Sequence, residues 1–191
     1  QSTKSKAYVC GYYSQEIASD KAYYAKADDG RTIIGWIYIC HKCLRPTFFD
    51  DSEKQTPGSK FGDNIESLPD DVEKLYDEAR DAYGVSAFTS TVMCCRKILM
   101  HVAVSEGAEE NLNFTEYVDY LSDESIVPKA TKKWIDKIRT MGNNANHEIV
   151  VNTRLYDEEI ISFVEMLLKL VYEYPSRIKS ESSKDESSEG E

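Results

Sequence analysis

The stretch Arg139-Thr140-Met141-Gly142-Asn143-Asn144-Ala145-Asn146-His147 places a guanidinium and an imidazole about two helical turns apart around a helix-stopping glycine. Arginine is a planar fork for phosphate oxygens, and histidine moves protons near neutral pH. Together they suffice for cleaving RNA without a metal. The imidazole of His147 takes the proton from a ribose 2′-OH while Arg139 steadies charge on the phosphorane, with Asn143 and Asn146 adding donors and acceptors beside them. Lys132, Lys133, Lys137 and Arg139 make one basic helix in an acidic chain, which supplies a local phosphate-binding face. The same residues have a plainer reading. Arg139 pairs with a surface carboxylate, Gly142-Asn143 ends a helix, and His147 donates to a backbone carbonyl.

A second constellation lies near the start of the chain. Cys40-His41-Lys42-Cys43 has the two-residue spacing that lets two thiolates of one turn reach a tetrahedral Zn²⁺. The earlier half of such a ribbon is Cys10-Gly11-Tyr12-Tyr13, where tyrosine stands in the place of the fourth thiolate. Cys10, Cys40 and Cys43 therefore either hold a closed, structural zinc or belong to a ribbon that has lost its metal and relies on tyrosine packing. Cys94 and Cys95 sit inside an apolar helical pattern and read as core. Arg96 beside them needs a partner if buried, as an interhelical ion pair or as a second cation lining a cleft, and His101 reads as a surface residue. Five cysteines in this arrangement suit a reducing compartment better than a disulfide framework.

The elements that position these groups change character along the chain. Residues 7–50 are β-like, with Lys21 to Ala27 and Arg31 to Cys40 flanking an Asp28-Asp29-Gly30 turn. Residues 51–66 are polar and read as a linker. From Ser67 the period becomes helical. Ser67-Leu68-Pro69-Asp70 is a helix start, after which Val72, Leu75, Tyr76, Ala79 and Tyr83 share a face up to Gly84. A second helix runs from about Ala87 to Ser105 before Gly107, with Val92, Cys95, Leu99, Val102 and Ala103 facing inward. Further helices are expected over Phe114 to Leu121, Pro128 to Met141 and Asp157 to Tyr174. The fold class is thus α+β, a small antiparallel ribbon (1–50), a linker (51–66), an α-helical bundle (67–176) and an acidic, disordered tail (177–191).

Composition narrows the function classes. The chain carries 34 acidic against 23 basic residues, a net charge of −11, which argues against a broad electrostatic footprint for nucleic acid. No run approaches the roughly 18 apolar residues of a membrane span, and no apolar segment follows the first six residues. A cytoplasmic protein that engages no membrane is the expectation.

Leu68-Pro69, Val72, Tyr76, Glu78-Ala79, Arg96, Trp134, Ile138-Arg139, Gly142-Asn143 and Ala145 to His147 together resemble the helical domain of unknown function 4145. That family is grouped with the HEPN superfamily and occurs beside restriction subunits and other defence proteins, often after a Cys-rich ribbon. The resemblance implies a HEPN-like bundle and a homodimer with a cleft at its two-fold interface. It places Arg139 and His147 as the superfamily's catalytic pair, with seven residues between them, a wider spacing than the superfamily's own. Met100 stands where the family's second helix tends to carry glutamate. Two functions follow. One is a protein-interaction or regulatory module with a protein partner in a prokaryotic phage-defence, restriction or toxin system; the other is a metal-independent endoribonuclease acting on RNA.

Overall fold

The computed structural model describes residues 4–131, 133–138 and 154–179 and shows an α+β protein, antiparallel strands first and helices after. The chain divides into two compact units: residues 1–61 with 80–87, and residues 62–79 with 88–191.

In the first unit, β1 (Lys6–Val9) pairs with β2 (Glu16–Ser19) as a two-stranded sheet. A four-stranded antiparallel sheet follows in the order β3 (Ala22–Lys26), β4 (Ile33–Ile39), β5 (Pro46–Asp50) and β6 (Gln55–Thr56). The Asp28-Asp29-Gly30 turn joins β3 to β4 as expected. The Asp29 carboxylate accepts from the backbone N–H of Arg31 and Thr32, at 2.8 Å each, and from the Thr32 hydroxyl. Those bonds lower the Asp29 pKa, the Thr32 hydroxyl first.

Burial alternates along β2 and β5, as expected when one face of an antiparallel sheet meets the core. Tyr38 and Phe49 point inward, while Ile37 and Phe48 between them are exposed. Tyr8, Cys10, Ile17, Tyr38, Cys40 and Phe49 form this unit's core, with Ala22, Trp36 and Cys43 packed against it. The Tyr8 ring meets Phe49 edge-on at 5.2 Å, and Tyr38 meets Phe49 at 5.8 Å.

The helical region comprises α1 (Asp70–Gly84), α2 (Phe88–Ser105), α3 (Phe114–Asp123), a short tight turn (Lys129–Thr131), α4 (133–138) and α5 (Arg154–Leu168). A π-helical turn, Lys169–Glu173, continues α5. The face expected on α1 is present, since Val72, Tyr76, Ala79 and Tyr83 are buried, and all five residues expected inward on α2 are buried. Leu99, Leu121, Ile135, Ile138, Ile160, Ile161, Phe163, Leu167 and Leu168 are each at most 1% exposed, and Trp134 meets Phe163 edge-on at 5.3 Å. Asn113 caps α3 with a reciprocal pair. Its Oδ1 accepts from the Glu116 N–H at 3.1 Å, and the Glu116 carboxylate accepts from the Asn113 N–H at 2.7 Å.

Two helix ends differ in how they use glycine. After α2, Gly107 takes a left-handed φ of 110°, and the Ala108 N–H closes onto the Ala103 carbonyl at 2.9 Å. α1 ends at Gly84 as expected, but the left-handed residue that follows is Ser86 (φ 61°), with the Ala87 N–H on the Ala82 carbonyl at 2.8 Å. Gly84 serves close approach instead. Its carbonyl accepts from the Gly58 N–H at 2.7 Å, and a Cβ there would stand 3.0 Å from the Gly58 carbonyl oxygen.

The polar segment 51–66 is folded along much of its length. Gln55 and Thr56 form β6 against β5, and residues to Phe61 group with the strands. Asp63 and Glu66 give their N–H groups to Glu165 and Glu173, at 3.1 Å each, and Ile65 is buried. Among the described residues, no helix is long and apolar enough to cross a membrane.

Candidate metal centre

The turn after β1 and the turn after β4 have the same backbone design. The Cys10 N–H donates to the Gln15 carbonyl at 3.0 Å, and the Cys40 N–H to the Arg45 carbonyl at 3.1 Å. Ser14 and Leu44 return N–H bonds to the Cys10 and Cys40 carbonyls at 2.8 and 2.9 Å, each with a left-handed φ (56° and 59°). Each turn also directs two backbone N–H groups at its leading sulfur, those of Tyr12 and Tyr13 at Cys10 and those of Lys42 and Cys43 at Cys40. Backbone donors around sulfur are what a thiolate needs once it leaves water.

The two turns bring three sulfurs together. The Sγ atoms of Cys10, Cys40 and Cys43 lie within 4.8 Å of one another, and Cys10 Sγ is 3.7 Å from Cys43 Sγ. With Zn–S bonds of about 2.3 Å, a tetrahedral ion holds its sulfurs about 3.8 Å apart. The Cys10–Cys43 separation matches that spacing, and the three sulfurs are close enough together to converge on a soft, tetrahedral metal ion. All three cysteines are free thiols, Cys10 and Cys40 fully buried.

Their acidities diverge. Burial pushes Cys10 up to about 11, against the pull of the Tyr12 and Tyr13 N–H groups. Burial also works to raise Cys40, but the Cys43 and Lys42 N–H groups, with hydrogen bonds from Cys43 and Cys10, outweigh it and leave Cys40 lowered. Cys40 is thus the sulfur these surroundings favour as thiolate, and Cys10 would need a bound cation to ionise.

The fourth corner carries no thiol. Tyr13 stands where Cys43 stands in the second turn and is 41% exposed; His41 is exposed and outside the sulfur cluster. The same core buries two hydroxyls without hydrogen-bond partners, Tyr8 Oη and Thr47 Oγ1. The Tyr8 phenol is raised by burial first, lowered in part by Thr47, and raised again by the three cysteines. Neither residue carries a motif that the sequence could have shown.

The other groups singled out from the sequence fall as follows. Arg139, Asn143, Asn146 and His147 lie outside the described residues, as do Lys132 and the acidic end from residue 180. Lys137 is described and pairs with Glu159. Arg96 is 8% exposed, with its guanidinium 4.1 Å from the centroid of the Phe114 ring. Burial lowers its pKa, and Tyr156 opposes that. Cys94 and Cys95 are buried, and burial raises both thiols. His101 is exposed and lines a groove of roughly 360 Å³ between α1 and α2 with Asp71, Glu78 and Lys97.

Two buried acids, Asp157 and Glu173, carry no sign of it in the sequence. Asp157 is 0% exposed, and neither carboxylate oxygen has a hydrogen-bond partner. Burial raises its pKa to about 7, with Thr91 pulling the other way. In the first turn of α5 it reads in sequence as a solvated residue favourable to the helix dipole, followed by Glu158 and Glu159. Nothing local betrays that its side chain turns inward.

No curated protein and no solved structure gives a significant match to the chain. The family described as Domain of unknown function (DUF4145) matches residues 77–185, more than half of the sequence and most of the helical region. The chain belongs to that family.

Proposed function

We propose that this chain is a HEPN-like protein-interaction or regulatory module of a prokaryotic defence system, with an N-terminal ribbon held by a structural zinc and a homodimeric, cytoplasmic working form. The defence setting rests on the resemblance of the helical residues, which the family match supports as far as the family itself. The zinc rests on the three converging sulfurs and their backbone donors. Bound there, it would cross-link the two turns and neutralise the thiolates.

The observation that carries the interaction reading is on the outer face of the four-stranded sheet. Tyr23, Ile37 and Phe48 are cross-strand neighbours on β3, β4 and β5, exposed by 58%, 39% and 40%. An aligned apolar row open to water costs solubility and suits a surface meant to be covered by a protein partner.

The competing reading is the metal-independent endoribonuclease, with His147 as general base, Arg139 as phosphate clamp, and Asn143 and Asn146 assisting. The test is phage protection in cells carrying this chain with its neighbouring genes. The module reading expects protection to survive His147→Ala and Arg139→Lys and to fail in Ile37→Glu and Phe48→Glu variants that remain folded by circular dichroism. The opposite pattern, together with RNA cleavage by the purified protein, would establish the ribonuclease instead.

A further inference from the structure

We infer that a metal held by Cys10, Cys40 and Cys43 keeps its fourth coordination position open to a thiolate from outside the chain. The inference rests on the reading of the ribbon as a metal centre and replaces a closed structural site with one that exchanges a ligand.

Because the two turns share their hydrogen bonds and their left-handed closing residues, position 13 of the first corresponds to position 43 of the second. Cys43 puts its sulfur into the cluster. A tyrosine at the equivalent place cannot do the same with its hydroxyl, which lies a whole ring beyond Cβ and overshoots an ion that a sulfur one bond from Cβ would reach. The Tyr13 side chain is instead 41% exposed, so that corner faces solvent. His41 does not fill it, being exposed and outside the cluster.

Three thiolates leave a divalent ion with an unfilled tetrahedral position, and such a position takes water or an incoming donor. Soft donors suit an ion already bound by sulfur. The rim of the two turns carries Lys42 and Arg45, both exposed, with the Arg45 guanidinium 5.0 Å from the Tyr12 ring centroid. Their charge favours an anionic donor over a neutral one. A thiolate satisfies both conditions. Its source is a small free thiol or a cysteine of a partner protein, which present the same sulfur.

Among the described residues, Tyr8 is an alternative donor. Tyr8 Oη is buried in the same core and has no hydrogen-bond partner. Were it the fourth ligand, the site would be closed, so the test includes its removal.

The full chain is loaded with cobalt(II) under anaerobic conditions, and sulfur-to-cobalt charge-transfer absorption is followed while 2-mercaptoethanol is added. Wild type is expected to gain about a third in that band, as three thiolates become four. Tyr13→Cys should start at the higher value and not respond. Tyr13→Phe and Tyr8→Phe should behave as wild type. A peptide ending in a single cysteine, offered in place of 2-mercaptoethanol, separates the two sources by which binds at lower concentration. Cobalt bound in wild type with a spectrum indifferent to either thiol would overturn the open site and leave the metal centre standing, as would a spectrum altered by Tyr8→Phe or Tyr13→Phe. Failure of wild type to bind cobalt at all would overturn both.

Discussion

In the ribbon unit, three thiols, two buried hydroxyls and four inward-facing backbone donors converge on one small core; among the described residues of the helical unit, the Asp157 carboxylate is fully buried and held up in pKa by that burial. The charge follows the same division. Residues 1–61 and 80–87 hold ten lysines and arginines against eight carboxylates, a net +2, while the rest of the chain holds thirteen against twenty-six, −13. Buried polar groups that point at one another describe a site awaiting an ion. A buried carboxylate with only Thr91 to draw on describes a strain carried by the core around it. The ribbon is small and has few large side chains to bury, so a metal cross-link is worth much to it. The helical core, with many large aliphatic and aromatic residues almost fully enclosed, does not need one.

That contrast can be broken most severely in the helical core. Phe163 is fully buried against Trp134, and Phe163→Ala should cost about 3–5 kcal/mol, read from urea unfolding. The ribbon has its own core, so the variant should still take up one metal ion per chain. Loss of metal along with stability would show that the two units do not divide the work as described.

Asp157 sharpens the comparison through pH. Its folded pKa of about 7 lies above the unfolded value near 4, so between those limits the folded chain holds a proton that the unfolded chain has released. Stability must therefore fall as pH rises from about 4 to about 7 and level off beyond, with a slope of at most about 1.4 kcal/mol per pH unit from this group. Asp157→Asn should flatten that slope and be the more stable protein at pH 8. Equal slopes for the two proteins would mean that the carboxylate is solvated or paired. The smallest effect expected is at the α3 cap, where Asn113→Ala should cost about 1 kcal/mol by thermal unfolding and leave metal uptake unchanged.

The helices were the legible part of this fold. On α1 the 3.6-residue period picks out Val72, Tyr76, Ala79 and Tyr83 while Leu75 is half-buried and Arg80 is buried unannounced; on α2 all five residues expected inward are buried. The β3–β4 hairpin was legible from Asp28-Asp29-Gly30, since few residues other than these accept that turn. β1, β2 and β6 are two to four residues long, too short for alternation to be read. Of the metal centre, the sequence shows Cys40-x-x-Cys43 and half of its partner. It hides that the two turns are duplicates, because Ser14 and Leu44 adopt left-handed backbone where glycine would have announced it. Gly84 marks the end of α1 as expected, but as a glycine kept for close approach and not for its φ. Asp157 was illegible because inward rotation of a first-turn acid depends on tertiary packing alone.

Hydrogen exchange on the full chain, before and after chelation of bound zinc, separates a ribbon held by metal from one that stands without it. The account predicts one zinc per chain and, on its removal, loss of protection at the amides of β4 and β5, with α2 and α5 exchanging as before. Protection of β4 and β5 that is the same with and without zinc, or a folded chain that binds none, would contradict it.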